Sequence, residues 1–316
     1  MMGVLNRYML TAFAGCTYAL IVFPMLLLSC GPSDSKCLLE PRPENRIVWP
    51  IVGCIALFQV AQGWSRLRIP PHILSLLALL AFCGVSFLWA YKPDISMVRF
   101  SQEALIISSI VLPALLADRR ADLLHVLFVC FAVAALLNIP FVMGGPPKFG
   151  ENATPGYTGY FAGKNYLGEF AAIALFLSVY ECSQSGARRV VGAIVLIISL
   201  VLLFLSNSKT ALALAVVVPV LSVVLVAARA AFRLSPAVLP WAIVIGYMIV
   251  NAALNVSVYR LSYIIYGEST FTGRKLIWDF ALSEVARRPF LGWGYQSFWL
   301  VGPDAQHARE AHRDAA

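Results

Sequence analysis

Residues 190–228 read VVGAIVLIISLVLLFLSNSKTALALAVVVPVLSVVLVAA. Two apolar runs, 190–206 and 210–228, meet at a short polar turn, and neither carries a charged residue. A hydrocarbon layer about 30 Å thick is crossed by roughly 20 helical residues, and a helix satisfies its own backbone there without water. The stretch therefore reads as two membrane-crossing helices joined by almost no loop. Lys209, in that turn, must stand at the mouth of the bundle.

Outward from this pair, further apolar runs fall at 8–30, 47–63, 72–90, 96–117, 122–143, 165–182 and 237–257, giving about nine spans in all. Composition agrees. Hydrophobic residues make up 60% of the 316 and charged residues 13%, against roughly 25% charged in a soluble domain, and the mean hydropathy is +0.78. The expected fold is all-α, a polytopic helical membrane protein with about nine transmembrane helices. Residues 1–257 would form the transmembrane bundle, and 258–316 an external segment with a short amphipathic helix and a polar tail. The first run continues from Tyr8 to Cys30 with no small-residue cleavage site, so it reads as a retained helix rather than a signal peptide.

The net charge of +8 does not point to nucleic acid, because the basic residues lie in short clusters between apolar runs instead of on one solvated face. They sort by topology. Arg7, then Arg66 and Arg68, Arg119 and Arg120, Arg188 and Arg189, and Arg229 and Arg233 occupy alternate connections, which basic residues hold on the cytoplasmic side. In 31–46, a connection of the other set, Lys36, Arg42 and Arg46 are balanced by Asp34, Glu40 and Glu44. The amino terminus is thus expected in the cytoplasm of a bacterial inner membrane, and loop 144–164 and the segment after 257 in the periplasm. Cys16, Cys54, Cys83 and Cys130 sit in apolar runs, where free Cys behaves as a small hydrophobe. Cys30 and Cys37 flank the first external loop, where a disulfide is one option. No metal-type spacing of Cys and His appears, and no metal or cofactor is expected.

Three segments of the external set carry candidate chemistry. Gly156-Tyr157-Thr158-Gly159-Tyr160-Phe161-Ala162-Gly163-Lys164-Asn165 leads from loop 144–164 into the sixth run and puts Lys164 and Asn165 at a helix amino terminus. There, dipole, backbone N–H groups and ammonium suit an anion; the alternative is an interfacial Tyr/Lys anchor. Ser206-Asn207-Ser208-Lys209-Thr210 can cap a helix and aim Lys209 at the same kind of anion, or be only a tight turn. Thr272-Gly273-Arg274, followed by Leu276, Ile277, Phe280, Ala281 and Val285 at helical spacing and then by Arg288-Pro289-Phe290-Leu291-Gly292-Trp293-Gly294, predicts a short amphipathic helix that stops at a Pro-Gly turn. Such a helix can equally lie on the membrane surface. Within the fourth run, Arg99 and Glu103 share a face at i,i+4 and are placed to neutralise each other. His307 and His312 fall in the polar tail.

Taken in order, G-Y-x-G-x-F-x-G-K-N, S-x-S-K-T and T-G-R-x-x-x-W followed by R-P-F-L-G-W-G resemble the O-antigen ligase and Wzy-type polysaccharide polymerase family over about Gly156 to Phe298. The resemblance implies a fold similar to GT-C-type glycosyltransferases and a metal-independent glycosyltransferase of the outer leaflet. Its donor is a glycan on undecaprenyl diphosphate; its acceptor is another lipid-linked glycan or the lipid A core. It further implies that Arg274, Lys209 and Lys164 hold the diphosphate, that Lys209 stands where many relatives carry Arg, and that Asn165, Tyr160 and Trp278 are candidate glycan or loop contacts. The family's general-base His lies beyond the T-G-R segment in a His-Asn pair. The nearest match here is His312, followed by Arg313, and then His307. Because the family's closing helices would follow that pair, the chain reads as a truncated member. The competing readings are a lipid-linked glycan transporter or flippase and an inactive remnant of the family.

Overall fold

The structure, a computed structural model, describes residues 2–23, 45–67, 69–117, 120–145, 156–161, 163–232, 245–246, 248–249 and 274–298. Among these residues there is no β-strand. The helices are α1 (Met2–Val22), α2 (Asn45–Gln62), α3 (Pro71–Val85), α4 (Pro93–Leu116), α5 (Arg120–Met143), α6 (Lys164–Cys182), α7 (Ala187–Ser206), α8 (Lys209–Phe232) and α9 (Arg274–Arg287). Each predicted run from 8–30 to 210–228 falls on one of α1 to α8, and α9 begins at the Arg of T-G-R. The run 237–257, Cys30 and Cys37 lie largely or wholly outside the described residues. By length and composition α4, α5, α7 and α8 suffice to cross a membrane, and α1, α2 and α3 hold shorter apolar stretches. The protein is thus an all-helical, polytopic membrane protein.

The chain divides into two compact units, Met1–Leu80 with Ser101–Val217, and Ala81–Phe100 with Val218–Ala316. In the first, α6 and α7 form an antiparallel hairpin, and α5 packs on both of them and on α1. Lipid tails are as apolar as Leu, so helices there associate by close packing rather than by escape from water. The seam is built accordingly. Buried Gly168, Ala171, Ala174, Ser178 and Glu181 recur along one face of α6, and buried Gly192, Val195, Ser199, Leu202 and Ser206 along one face of α7. A Cβ added at Gly192 would lie 2.9 Å from the Cys182 nitrogen and 3.0 Å from the Glu181 carbonyl carbon, so only glycine lets the two backbones approach this far. Aromatic rings fill the space toward α5, with Phe131 stacked on Phe170 at 5.1 Å and Phe161 beside Phe170 at 5.2 Å. Buried hydroxyls bond back to their own helices, Thr17 to the Phe13 carbonyl, Ser109 to Leu105 and Ser178 to Ala174, which satisfies them where no water reaches.

In the second unit, the chain tightens after α3 into a 3-10 turn, Ser86–Trp89. The Ser86 hydroxyl donates to the Cys83 carbonyl at 2.6 Å, offering the backbone an alternative to the helix. The segment after α9 is fastened to this elbow. Ser86 Oγ accepts the Tyr295 N–H at 2.9 Å, Ser96 Oγ donates to the Tyr295 carbonyl at 2.8 Å, and the Arg99 guanidinium donates to the Gln296 carbonyl at 2.5 Å. Arg99 therefore has a backbone carbonyl as a partner as well as sharing a face of α4 with Glu103. The face of α9 differs as well. Phe280, stacked with Phe298 at 5.9 Å, and Glu284, buried with its carbonyl accepting from the Trp293 indole at 3.2 Å, look inward. Val285, expected on the same apolar face as Phe280, looks outward because the two residues stand on opposite sides of the helix.

Candidate functional site

The end of the first unit that carries the G-K-N and S-K-T motifs is built from three pieces: the strap 156–161, the first turn of α6 and the turn from α7 to α8. Asn207 closes α7 in the left-handed conformation, with φ 49° and ψ 32°, a geometry Asn tolerates better than most residues. The buried Ser206 hydroxyl donates to the Leu203 carbonyl at 2.7 Å and accepts the Ser208 N–H at 3.2 Å, so only Asn207 and Ser208 separate the two helices and α8 opens directly on Lys209. Ser208 then donates its hydroxyl to Asn165 Oδ1 at 3.2 Å. That bond ties the start of α8 to the start of α6. Gly168 completes the approach, since a Cβ there would come within 2.6 Å of the Ser208 Cβ and 2.9 Å of the Ala211 Cβ.

The strap holds the same corner from the other side. The Tyr157 N–H donates to the Leu205 carbonyl at 3.0 Å, and a Cβ at Gly156 would meet the Ser206 carbonyl oxygen at 2.5 Å and the Lys164 stem at 2.8 Å. Gly159 turns with φ 59°, and a side chain there would run into the Asn138 amide. Asn138, wholly buried in α5, donates to the Ala134 carbonyl at 2.8 Å and accepts the Tyr160 N–H at 3.1 Å. The Tyr160 hydroxyl reaches the last carbonyl of α1, Val22, at 2.8 Å, and its ring lies among Phe23, Phe141 and Phe161. Ring and hydroxyl of Tyr160 are both buried and have partners within the protein.

Lys164 opens α6 ahead of the apolar run 165–182, behind an N-cap glycine that offers no side-chain cap to the helix N–H groups. Burial first, and then the neighbouring Lys209 ammonium, hold its amine below the usual lysine range. Two lysines thus share one corner beside a helix amino terminus that no side chain caps, a setting that suits an oxyanion. The structure brings together Lys164, Asn165 and Lys209. Arg274 begins α9 and Trp278 lies half-exposed on it, both in the second unit, while His307 and His312 lie outside the described residues. Among the described residues no group of three or more His, Cys, Asp or Glu gathers to hold a metal.

A second polar cluster at the other end of the α6–α7 hairpin escapes a reading of the sequence. Glu181, with no exposed side-chain surface, accepts a forked pair of hydrogen bonds from Arg188 at 2.7 and 2.6 Å, and His125 of α5 reaches the same carboxylate at 3.2 Å. The tight turn 183–186, whose Gly186 has φ 64°, folds Arg188 back over Glu181. A carboxylate in the last turn of an apolar run was the available signal, since a charge at that depth needs a partner. The basic count assigns Arg188 to topology, and it is also a clamp.

Fold and site together define a membrane protein with a cationic, uncapped helix mouth between two apolar helices. Residues 194–314 match the family model described as O-Antigen ligase. Over 235 residues, 71% of the chain, the sequence is 25% identical to "Exopolysaccharide production protein ExoQ" of Rhizobium meliloti (strain 1021). The match covers 52% of that protein, so the chain spans about half the length of this relative. No solved structure matches. Both matches support the resemblance to the O-antigen ligase and polysaccharide polymerase family.

Proposed function

We propose that the protein is a membrane glycosyltransferase of surface polysaccharide assembly, polymerising or ligating a glycan carried on undecaprenyl diphosphate at the outer face of the bacterial inner membrane. The acceptor is the glycan of a second lipid-linked unit or the lipid A core. The acceptor hydroxyl attacks the anomeric carbon, and a new C–O bond forms as the bond to the diphosphate breaks. The lipid diphosphate leaves with the electron pair, and the hydroxyl proton passes to a base, for which the resemblance nominates His312 and then His307. No metal is invoked, so the negative charge that grows on the departing diphosphate falls to Arg274, Lys209 and Lys164. Asn165 stands at the corner that carries Lys164 and Lys209.

The observation that carries this reading is the pairing of Lys164 and Lys209 at one mouth, secured by the Ser208–Asn165 bond. Lysines gathered at a helix amino terminus suit a group that bears charge on both phosphates. The full chain, reconstituted with lipid-linked oligosaccharide and acceptor, should give elongated or transferred glycan, and Arg274→Ala should abolish it. A product distribution that Arg274→Ala leaves unchanged would sink the proposal. The orientation is tested separately at the exposed Tyr166: a Tyr166→Cys variant should react with an impermeant maleimide from the periplasmic side.

A further inference from the structure

The turn that follows α9 is held at one level of the molecule. Trp89 donates its indole N–H to the Leu291 carbonyl at 2.8 Å, and the Tyr91 N–H donates to the Trp293 carbonyl at 2.9 Å. The Ser96 and Arg99 bonds to the Tyr295 and Gln296 carbonyls fall in the first two turns of α4, a helix long and apolar enough to cross the membrane. At 1.5 Å per residue, these bonds lie within about 10 Å of the start of α4 along its axis. Trp89, Tyr91, Trp293 and Tyr295 collect at this level, with Tyr91 edge-on to Trp293 at 6.1 Å. Trp and Tyr concentrate in this way where headgroups meet hydrocarbon.

From that level an apolar surface projects. Trp278, Leu282 and Val285 recur at i, i+4 and i+7 and so share one face of α9, which is 41 to 63% exposed, while Phe280 and Glu284 on the opposite face are turned inward. Phe290 stands at the tip of the following turn with 94% of its surface uncovered, and Leu291 beside it is half-exposed. The rim is basic. Arg287 is held by Glu284 at 2.6 Å with its side chain 69% exposed, and Arg288 lies over the Trp293 ring at 4.2 Å. An apolar face ending in a protruding aromatic and bordered by arginines is complementary to the headgroup and upper acyl region of an anionic leaflet.

We infer that α9 and its turn form an interfacial anchor. The Trp278–Leu282–Val285 face and the Phe290 wedge are seated in the leaflet at the Pro93 end of α4, and Arg287 and Arg288 meet anionic headgroups. The anchor stands on this geometry alone. Its consequence for catalysis rests on the proposed function: a seated α9 keeps the helix that begins at Arg274 at the depth where a lipid diphosphate lies.

The test uses the full chain with its seven cysteines replaced, carrying an environment-sensitive fluorophore at Phe290→Cys or, as control, at Ser283→Cys on the other side of α9. In vesicles of phosphatidylethanolamine and phosphatidylglycerol, the label at position 290 should emit as in an apolar medium. Lipids with a shallow nitroxide should quench it about twofold or more above the control. Replacing the vesicles by phosphatidylcholine, or making Arg287→Gln with Arg288→Gln, should reduce that quenching. A label at position 290 that iodide reaches from water as freely as at 283 would overturn the anchor, as would an apolar label that no lipid quencher reaches, since that would mean protein covers the face. Quenching indifferent to lipid charge would remove the arginines from the proposal.

Discussion

The Ser208 hydroxyl donates to Asn165 Oδ1 at 3.2 Å across 43 residues of sequence, and this one bond sets the first turn of α8 against the first turn of α6. The two lysines that follow and precede it in their motifs become neighbours through it. Removing the bond should therefore act on the pair and not on the fold.

Ser208→Ala and Asn165→Leu should each lower turnover of lipid-linked donor by about fivefold, the effect of a hydrogen bond of about 1 kcal/mol. The double variant should be little worse than either single one, because both changes break the same contact. Turnover and thermal unfolding measured on all three variants check this. Strictly additive losses in turnover would show that the bond does not act through the lysine pair.

The lowered Lys164 amine gives a pH signature. An ammonium depressed by burial and by Lys209 is lost as pH rises through a range where ordinary lysines stay charged, so donor affinity should fall on the alkaline side earlier than normal lysine titration would cause. Bound diphosphate favours the charged form, so binding should take up protons in that window. The stability sign is opposite to that of a gained partner: the folded state binds fewer protons than the unfolded state between the two values, so the penalty stands below the lowered value and is relieved as pH rises. Lys164→Arg should remove the alkaline loss of affinity, measured by donor binding against pH.

At the far end of the hairpin, Arg188→Met should be strongly destabilising, since it leaves the fully buried Glu181 carboxylate with only His125. Breaking a buried ion pair by removing one partner costs about 3–5 kcal/mol, reduced to about 2–3 kcal/mol here for the partly exposed arginine. Glu181→Leu with Arg188→Leu should recover most of the loss, because no charge is then stranded. Unfolding in detergent, followed for the single and double variants, distinguishes this from a surface pair that contributes little.

Hydropathy was enough to locate α1 to α8, because a membrane imposes one length and one polarity on every span. The two motifs place Lys164 and Lys209 each at the start of a helix on the same expected side of the membrane. The partners that fix them were not legible. Glu181 meets His125 across 56 residues, the Tyr160 hydroxyl meets Val22 across 138, and the Tyr295 N–H meets Ser86 across 209. Helical periodicity describes the faces of one helix and carries no information on which other helix it touches. On α9, Phe280 and Val285 look alike by hydropathy but lie on opposite sides of the helix, and the turn that carries Trp293 and Phe298 is on the Phe280 side.

The central claim is that Lys164 and Lys209 act together on a lipid diphosphate, and it is tested most directly by the affinity of the full chain for undecaprenyl-diphosphate-linked oligosaccharide, measured with both lysines intact and with both changed to alanine. The account predicts that the double variant, still folded, binds at least about tenfold more weakly, a loss of about 1.4 kcal/mol, and with a shallower dependence on salt. Equal affinity and equal salt dependence in the two proteins would contradict it.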